Sequence, residues 1–149
     1  MIKLHKPFEH KEKPYIFYYD DVETTEDNVL SDIIEYDKAL IHSIRKDFED
    51  VVTVDAMFIN NGFITKRNIP KHQTIVITHA DRLFRKYHRM TIKQRRETKA
   101  ILKEMSDVST LILLTSKHGY KQYITPYLKQ RKSPFTHMFK VSQLTVEIP

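Results

Sequence analysis

Nine basic residues crowd one stretch of the chain, Arg82, Arg85, Lys86, Arg89, Lys93, Arg95, Arg96, Lys99 and Lys103, with Glu97 as the single acid among them. Phe84 and Tyr87 are interleaved with them. Lysine and arginine at this density suit contact with phosphates, which gives an affinity that falls with salt and reads little base sequence. The acids lie elsewhere: from Asp20 to Asp55 there are twelve carboxylates against Lys38, Arg45 and Lys46, so the formal net charge of +6 conceals two regions of opposite sign. Such polarity fits a molecule that meets nucleic acid or an acidic partner with one region while the other faces away. Solvated helix faces would produce the same composition without a partner.

Other constellations offer less chemistry. Gly62 and Gly119 are the two glycines, so no G-x-G-x-x-G and no G-x-x-x-x-G-K-[ST] can be written. Both phosphate cradles need backbone without a side chain at close approach, and their absence argues against nucleotide hydrolysis and against a bound cofactor. The eight histidines fall in neither H-x-x-x-H nor H-E-x-x-H spacing, and there is no cysteine, so no metal site is expected. His79 beside Asp81 forms a buried pair or a switch near neutral pH, and Ser116-Lys117-His118 lacks the elbow of a nucleophile and base. No catalytic residue is assigned.

The elements that must position these groups are legible from periodicity. Pro14 to Tyr19 (PYIFYY) is aromatic and β-branched, favouring a strand after a polar arm. Thr24 and Thr25 stand where a helix N-cap belongs, with Glu26 and Asp27 in the first turn. Leu30, Ile33, Ile34, Ile41, Ile44 and Phe48 then recur at helical spacing, a stripe for core packing. Val51 to Val54 reads as a short buried strand, Asn60-Asn61-Gly62 as a turn, and Thr74 to Thr78 as a strand leading into a basic helix through Tyr87. Thr91 with Gln94 predicts a capping box opening a helix whose inner face holds Ile101, Leu102 and Met105 and which stops near Ser106. Leu111 to Leu114 (LILL) is the continuous apolar run of a strand buried on both faces. Helical patterning returns at Tyr120, Tyr123, Ile124 and Tyr127, interrupted by Pro126, and a last strand lies between Phe139 and Ile148. Alternating strands and helices predict one α/β domain over residues 1–149, an open, mostly parallel sheet with flanking helices.

The run TIVITHADRLF, then KAILKEMSDVS, TLILLTS and ITPYLKQR, from Thr74 to Arg131, resembles the AAA+ core of clamp-loader subunits, most of all the nucleotide-free delta subunit of DNA polymerase III. The resemblance implies a P-loop-NTPase-like core without the P-loop. Thr78-His79 stands where ATP-using members carry an Asp-Glu pair, with Asp81 displaced, and Tyr18-Tyr19-Asp20-Asp21 replaces the glycine loop with carboxylates that repel a triphosphate. Ser116 takes the place of the polar sensor residue and Arg131 that of the trans-acting arginine. The resemblance also implies an apolar wedge for a sliding clamp just before the central strand, where Phe63, Ile64 and Ile69 are available. It thus implies a non-catalytic, replication-associated binding module whose partners are DNA, a replication protein (sliding clamp, clamp loader or helicase loader), or both.

Two alternatives stand beside it. Asp21-Val22-Glu23-Thr24-Thr25 after an apolar strand resembles the first motif of DnaQ-type 3′–5′ exonucleases, where the Asp and Glu hold two divalent metals. Ala56 to Ile64 is similar to that family's second motif, but Ile59 and Asn60 stand where its Asp belongs, and His88 is followed five residues on by Lys93 instead of an acid. The other alternative is a small adaptor or inhibitor whose acidic region docks a basic partner. The start MIKLHKPFEHKEK has no apolar core and no run reaches the length of a membrane span, so the expectation is a cytoplasmic protein without a membrane partner.

Overall fold

The apolar runs come together as one sheet in the computed structural model, which describes residues 3–5, 14–19, 30–85, 91–129 and 138–147. The strands are β1 (Lys3–His5), β2 (Tyr15–Tyr19), β3 (Val51–Asp55), β4 (Thr74–Thr78), β5 (Thr110–Ser116) and β6 (Lys140–Glu147), ordered β1-β6-β2-β5-β4-β3 across the sheet. β2 to β6 are all parallel to their neighbours, with Tyr19 opposite Ser116 on one side and Leu144 on the other. β1 closes the far edge antiparallel, Lys3 facing Glu147. The fold is the expected α/β class, an open and mostly parallel sheet with flanking helices.

Alternation along each strand divides the core into two layers. Ile16, Val54, Ile75, Ile77, Leu111 and Leu113 point to one face, where Leu83, Phe84, Ile101, Leu102, Met105 and Ile124 meet them. Tyr15, Phe17, Val76, Ile112 and Leu114 point to the other, covered by Ile44 and Phe48 of the α1 (Leu30–Asp47) region. Every residue from Leu111 to Leu114 is therefore buried, as a strand covered on both faces requires.

The helices sort themselves by face. The crossover from β2 to β3 uses α1 on its own face. α2 (Ala56–Asn60), α3 (Asp81–Arg85), α4 (Ile92–Val108) and the helical return of α5 (Lys117–Gly119), a π-helical turn (Tyr120–Ile124) and α6 (Thr125–Lys129) occupy the opposite face. This is what right-handed crossovers demand when the chain first runs outward from β2 to β3 and then back through β4 and β5 to β6. The direction reverses at β2, so the carboxyl ends of β2 and β5 flank the topological switch point, where ligands of open α/β sheets usually bind.

Several sequence expectations needed correction. Val51 to Val54 is the edge strand β3 and not a buried one; Val51 and Val52 are half-buried and Thr53 is exposed. The helix directly after it, α2, is not legible in the sequence. Asp55 caps it by accepting from the Met57 N–H at 2.9 Å, a five-residue turn too short for periodicity to reveal. The polar amino-terminal arm contributes β1. Pro126 does not interrupt the last helix, because the preceding turn widens: the N–H and Oγ1 of Thr125 both donate to the Tyr120 carbonyl, five residues back. The capping box at Thr91 and Gln94 forms as expected, and α4 runs two residues beyond Ser106. Among the described residues no helix is long and apolar enough to cross a membrane. Thr24, Thr25, Glu26 and Asp27, expected to start α1, lie outside the described residues.

Candidate functional site

The carboxyl ends of the strands gather a connected set of polar side chains that the fold holds in fixed positions. β3 ends at Asp55, whose carboxylate accepts from Met57 N–H, takes His79 Nδ1 at 2.8 Å and lies 3.8 Å from Arg82 Nη1. His79 follows β4 in the left-handed backbone region, φ 51°, which a non-glycine residue adopts at a cost, and the Ala80 N–H then crosses to the Leu114 carbonyl at 3.1 Å. Burial pushes the Asp55 carboxyl up, but the Met57 N–H, His79 and Arg82 together outweigh it and hold the group below its ordinary value.

One residue on, Asp81 is buried between β5 and the helices. It accepts from Thr115 Oγ1 at 3.1 Å and pairs with Arg85 Nη2 at 2.6 Å. The Arg85 guanidinium in turn lies 4.4 Å from the centre of the Tyr123 ring, a cation–π contact. Gly119 is required here for space and not for backbone freedom. Its backbone is ordinary helix, but a Cβ would stand 2.8 Å from both Asp81 Cγ and Thr115 Oγ1. At the switch point Tyr18 and Tyr120 stack in parallel, rings 4.5 Å apart and tilted by 4°. Burial raises the Tyr120 phenol above its ordinary pKa.

This arrangement fixes one face of a histidine. Asp55 orients His79 through Nδ1 and leaves a half-exposed ring, the geometry of a base, and among the described residues no hydroxyl is bonded to it. Among the described residues no three His, Cys, Asp or Glu side chains converge as metal ligands. Ser116, expected in the sensor position, accepts the Gly119 N–H as the cap of α5, a structural task. Asp81 is engaged by Thr115 and Arg85, so the expected His79–Asp81 pair is replaced by His79–Asp55. Asp21, Glu23 and Arg131 lie outside the described residues.

The basic stretch is divided by the fold. Arg82 and Arg85 sit on α3 facing Asp55 and Asp81, so both are directed toward acids at the sheet's edge. Lys86 and Arg89 lie outside the described residues. On α4, Arg95, Lys99 and Lys103 recur at intervals of four with Arg96 beside them, placing four cations on one flank at about 100° per residue. Lys93 stands next to Arg96 around the helix, four residues before Glu97. Arg96, Lys99 and Lys103 are exposed and have no ion-pair partner among the described residues.

The expected apolar wedge is likewise divided. Ile64 and Ile69 pack against the main core, whereas Phe63 is 67% exposed. The Phe63 ring meets Phe58 edge-on at 6.1 Å, and Phe58 and Met57 are themselves 50% and 48% exposed. These three form an apolar patch on α2 and the turn after it. Gly62, φ 78°, makes that turn, and the Asn68 amide pins the loop by donating to the Phe63 carbonyl at 2.8 Å. Met57 and Phe58 escaped the sequence reading because their exposure depends on α2. The Asp55 cap two residues before Met57 is the signal that could have found them.

Fold and site together define an open α/β module with an apolar patch, a basic helix flank and a polar network at the carboxyl ends of the strands. Comparison with family models, with curated proteins and with solved structures finds no match.

Proposed function

We propose that this chain is a non-catalytic, AAA+-like, replication-associated binding module that docks a replication protein through Met57, Phe58 and Phe63 and contacts DNA through the α4 flank. Numbered along the chain, the parallel strands lie in the order 5-1-4-3-2, which is the order of AAA+ and related P-loop cores and supports the likeness drawn from the sequence. The observation that carries the docking reading is the exposed pair Phe58 and Phe63, of which Phe63 falls in the segment between β3 and β4 where that likeness implies a wedge for a sliding clamp. Aromatic side chains held out from a short capped helix bury large area at little entropic cost, the property of binding hot spots. Arg96, Lys99 and Lys103 supply charge for phosphates without base readout.

The test is binding of the purified protein to sliding clamp, clamp loader and helicase loader by calorimetry, comparing wild type with Phe58→Ala/Phe63→Ala. One of the three is expected to bind, and the double variant to lose affinity by about 30-fold or more, corresponding to about 2 kcal/mol. Absence of binding to all three, or binding that ignores the double variant, defeats the proposal. Reversing Arg96, Lys99 and Lys103 to Glu is expected to abolish a low-salt DNA gel shift that the aromatic variant retains.

A further inference from the structure

The loop from Asn61 to Gln73 runs beside α4 and separates two clefts. The first, about 580 Å³, is lined by Asn61, Gly62, Gln94 and Glu97 among others and contains no cation. The second, about 540 Å³, lies near the amino end of β4 and is lined by Lys66, Arg67, Lys71 and His72, with Ile69 and Val108 as apolar surface. We propose that this second cleft is a binding site for an acidic peptide segment carrying an aliphatic side chain.

Three features carry the proposal. Lys66, Arg67 and Lys71 are exposed, line one cleft and lack an ion-pair partner among the described residues, so three cations face two acids there. The acids in the lining are Asp50 and Glu104, and Asp50 is engaged: it accepts from His72 Nδ1 at 2.9 Å and from the Gln73 N–H at 3.1 Å. Second, the walls are preorganised. Asn68 accepts from the N–H and Oγ1 of Thr65 and donates to the Phe63 carbonyl, while Asp50, at φ 48°, and the Ser109 hydroxyl, donating to the His72 carbonyl, fix the other end. A ligand therefore meets cations whose backbone is already ordered, which removes part of the cost of binding.

Third, the apolar surface is aliphatic. Val108 is 60% exposed at the end of α4, beside half-buried Ile69 and Pro70. Among the described lining residues the one ring is that of His72, tied to Asp50 through Nδ1, and the remaining apolar surface is aliphatic, where a Leu or Val side chain finds matching surface. The volume falls within the range of roughly 300–1,000 Å³ typical of binding pockets.

The probe is a blocked, dye-labelled peptide of alternating Asp and Leu, titrated into the intact chain by fluorescence anisotropy, with Lys/Leu and Ser/Leu peptides and an oligothymidylate as comparisons. The acidic peptide is expected to bind best. Neutralising Lys66, Arg67 and Lys71 to Ala should weaken it by about tenfold or more, Val108→Asp should do the same, and Glu104→Gln should tighten it. Phe63→Ala should leave it unchanged, which separates this site from the docking patch proposed above. All positions changed are on the surface or its margin, and thermal melts confirm folding of each variant. Equal binding of the basic or neutral peptide overturns the proposal, as does an oligothymidylate that competes and binds more tightly. It is also overturned by a Glu104→Gln variant that binds no better, or by concentration-dependent self-association that accounts for the signal.

Discussion

Replacing Gly119 with Ala sets two physical effects against each other, and the structure predicts which wins. The residue has helical backbone angles, φ −61° and ψ −42°, so intrinsic propensity alone would make Ala the better residue by about 1 kcal/mol. The added methyl, however, would lie 2.8 Å from Asp81 Cγ and Thr115 Oγ1 and 2.9 Å from Asp81 Cβ. Neither neighbour can yield easily. Asp81 is 6% and Thr115 1% exposed, their side chains are bonded to each other at 3.1 Å, and Asp81 also holds Arg85 at 2.6 Å. Overpacking costs about 1–3 kcal/mol and loss of a hydrogen bond to a buried charge about 1.5–3 kcal/mol, so the net change is a destabilisation of about 2–4 kcal/mol. For a chain of this length that lowers Tm by about 5–15 °C. Urea unfolding followed by far-ultraviolet circular dichroism measures it directly, since the chain has no tryptophan. Combining Gly119→Ala with Thr115→Ala removes one of the colliding atoms, so the pair should cost less than the separate losses together. A Gly119→Ala variant as stable as wild type would refute the close packing described around Asp81.

Gly62→Ala offers a contrast, since nothing lies within 4 Å of its Cβ position but φ is 78°; a loss of about 1 kcal/mol from backbone strain alone is expected in the same assay. Thr91→Ala removes the hydroxyl that accepts the Gln94 N–H and should cost about 1 kcal/mol, with the loss absent if the α4 start is frayed. Leu113→Ala, at a fully buried central-sheet position, should cost about 2–5 kcal/mol by denaturant midpoint. Asp55 is held below its ordinary carboxyl pKa of 3.8, so its stabilising effect is present above that value and lost as pH falls through the lower folded-state value. Asp55→Asn should therefore be less stable than wild type near neutrality, and the two denaturation curves should converge in acid; parallel pH profiles would contradict the His79 and Met57 contacts.

Local chemistry was legible in the sequence where it acts over a few residues. Thr91 and Gln94 announce their capping box because both partners lie within one turn, and Leu111 to Leu114 announces a strand covered on both faces because no polar residue interrupts it. β1 was hidden because a three-residue strand has too little pattern and its partner, β6, lies at the other end of the chain. β3 was read as buried from Val51, Val52 and Val54, yet edge position is set by strand order, which no local window contains. The same limit governed the site. Charge density from Arg82 to Lys103 was plain, and the Asp81–Arg85 pair lies within one turn of α3, but that Arg82 faces Asp55 depends on packing, since Asp55 is 27 residues before it in the sequence.

The placement of Asp81 bears on how an anion would fare beside the helix that follows β5. In an open parallel sheet the amide-rich space beyond the switch point is the natural seat of an anion. Here a buried carboxylate stands beside the first turn of the helix after β5, close enough that Gly119 must lack a side chain, and its charge is opposed by Arg85. A phosphate entering beside Asp81 would meet like charge in a poorly screened setting and would have to detach Arg85 from both Asp81 and Tyr123. The helix thus gains its anionic neighbour from within the chain. Among the described residues, cations without an ion pair include Arg96, Lys99 and Lys103 on α4 and Lys66, Arg67 and Lys71 on the loop beside it, where an anion could be met with no internal pair broken.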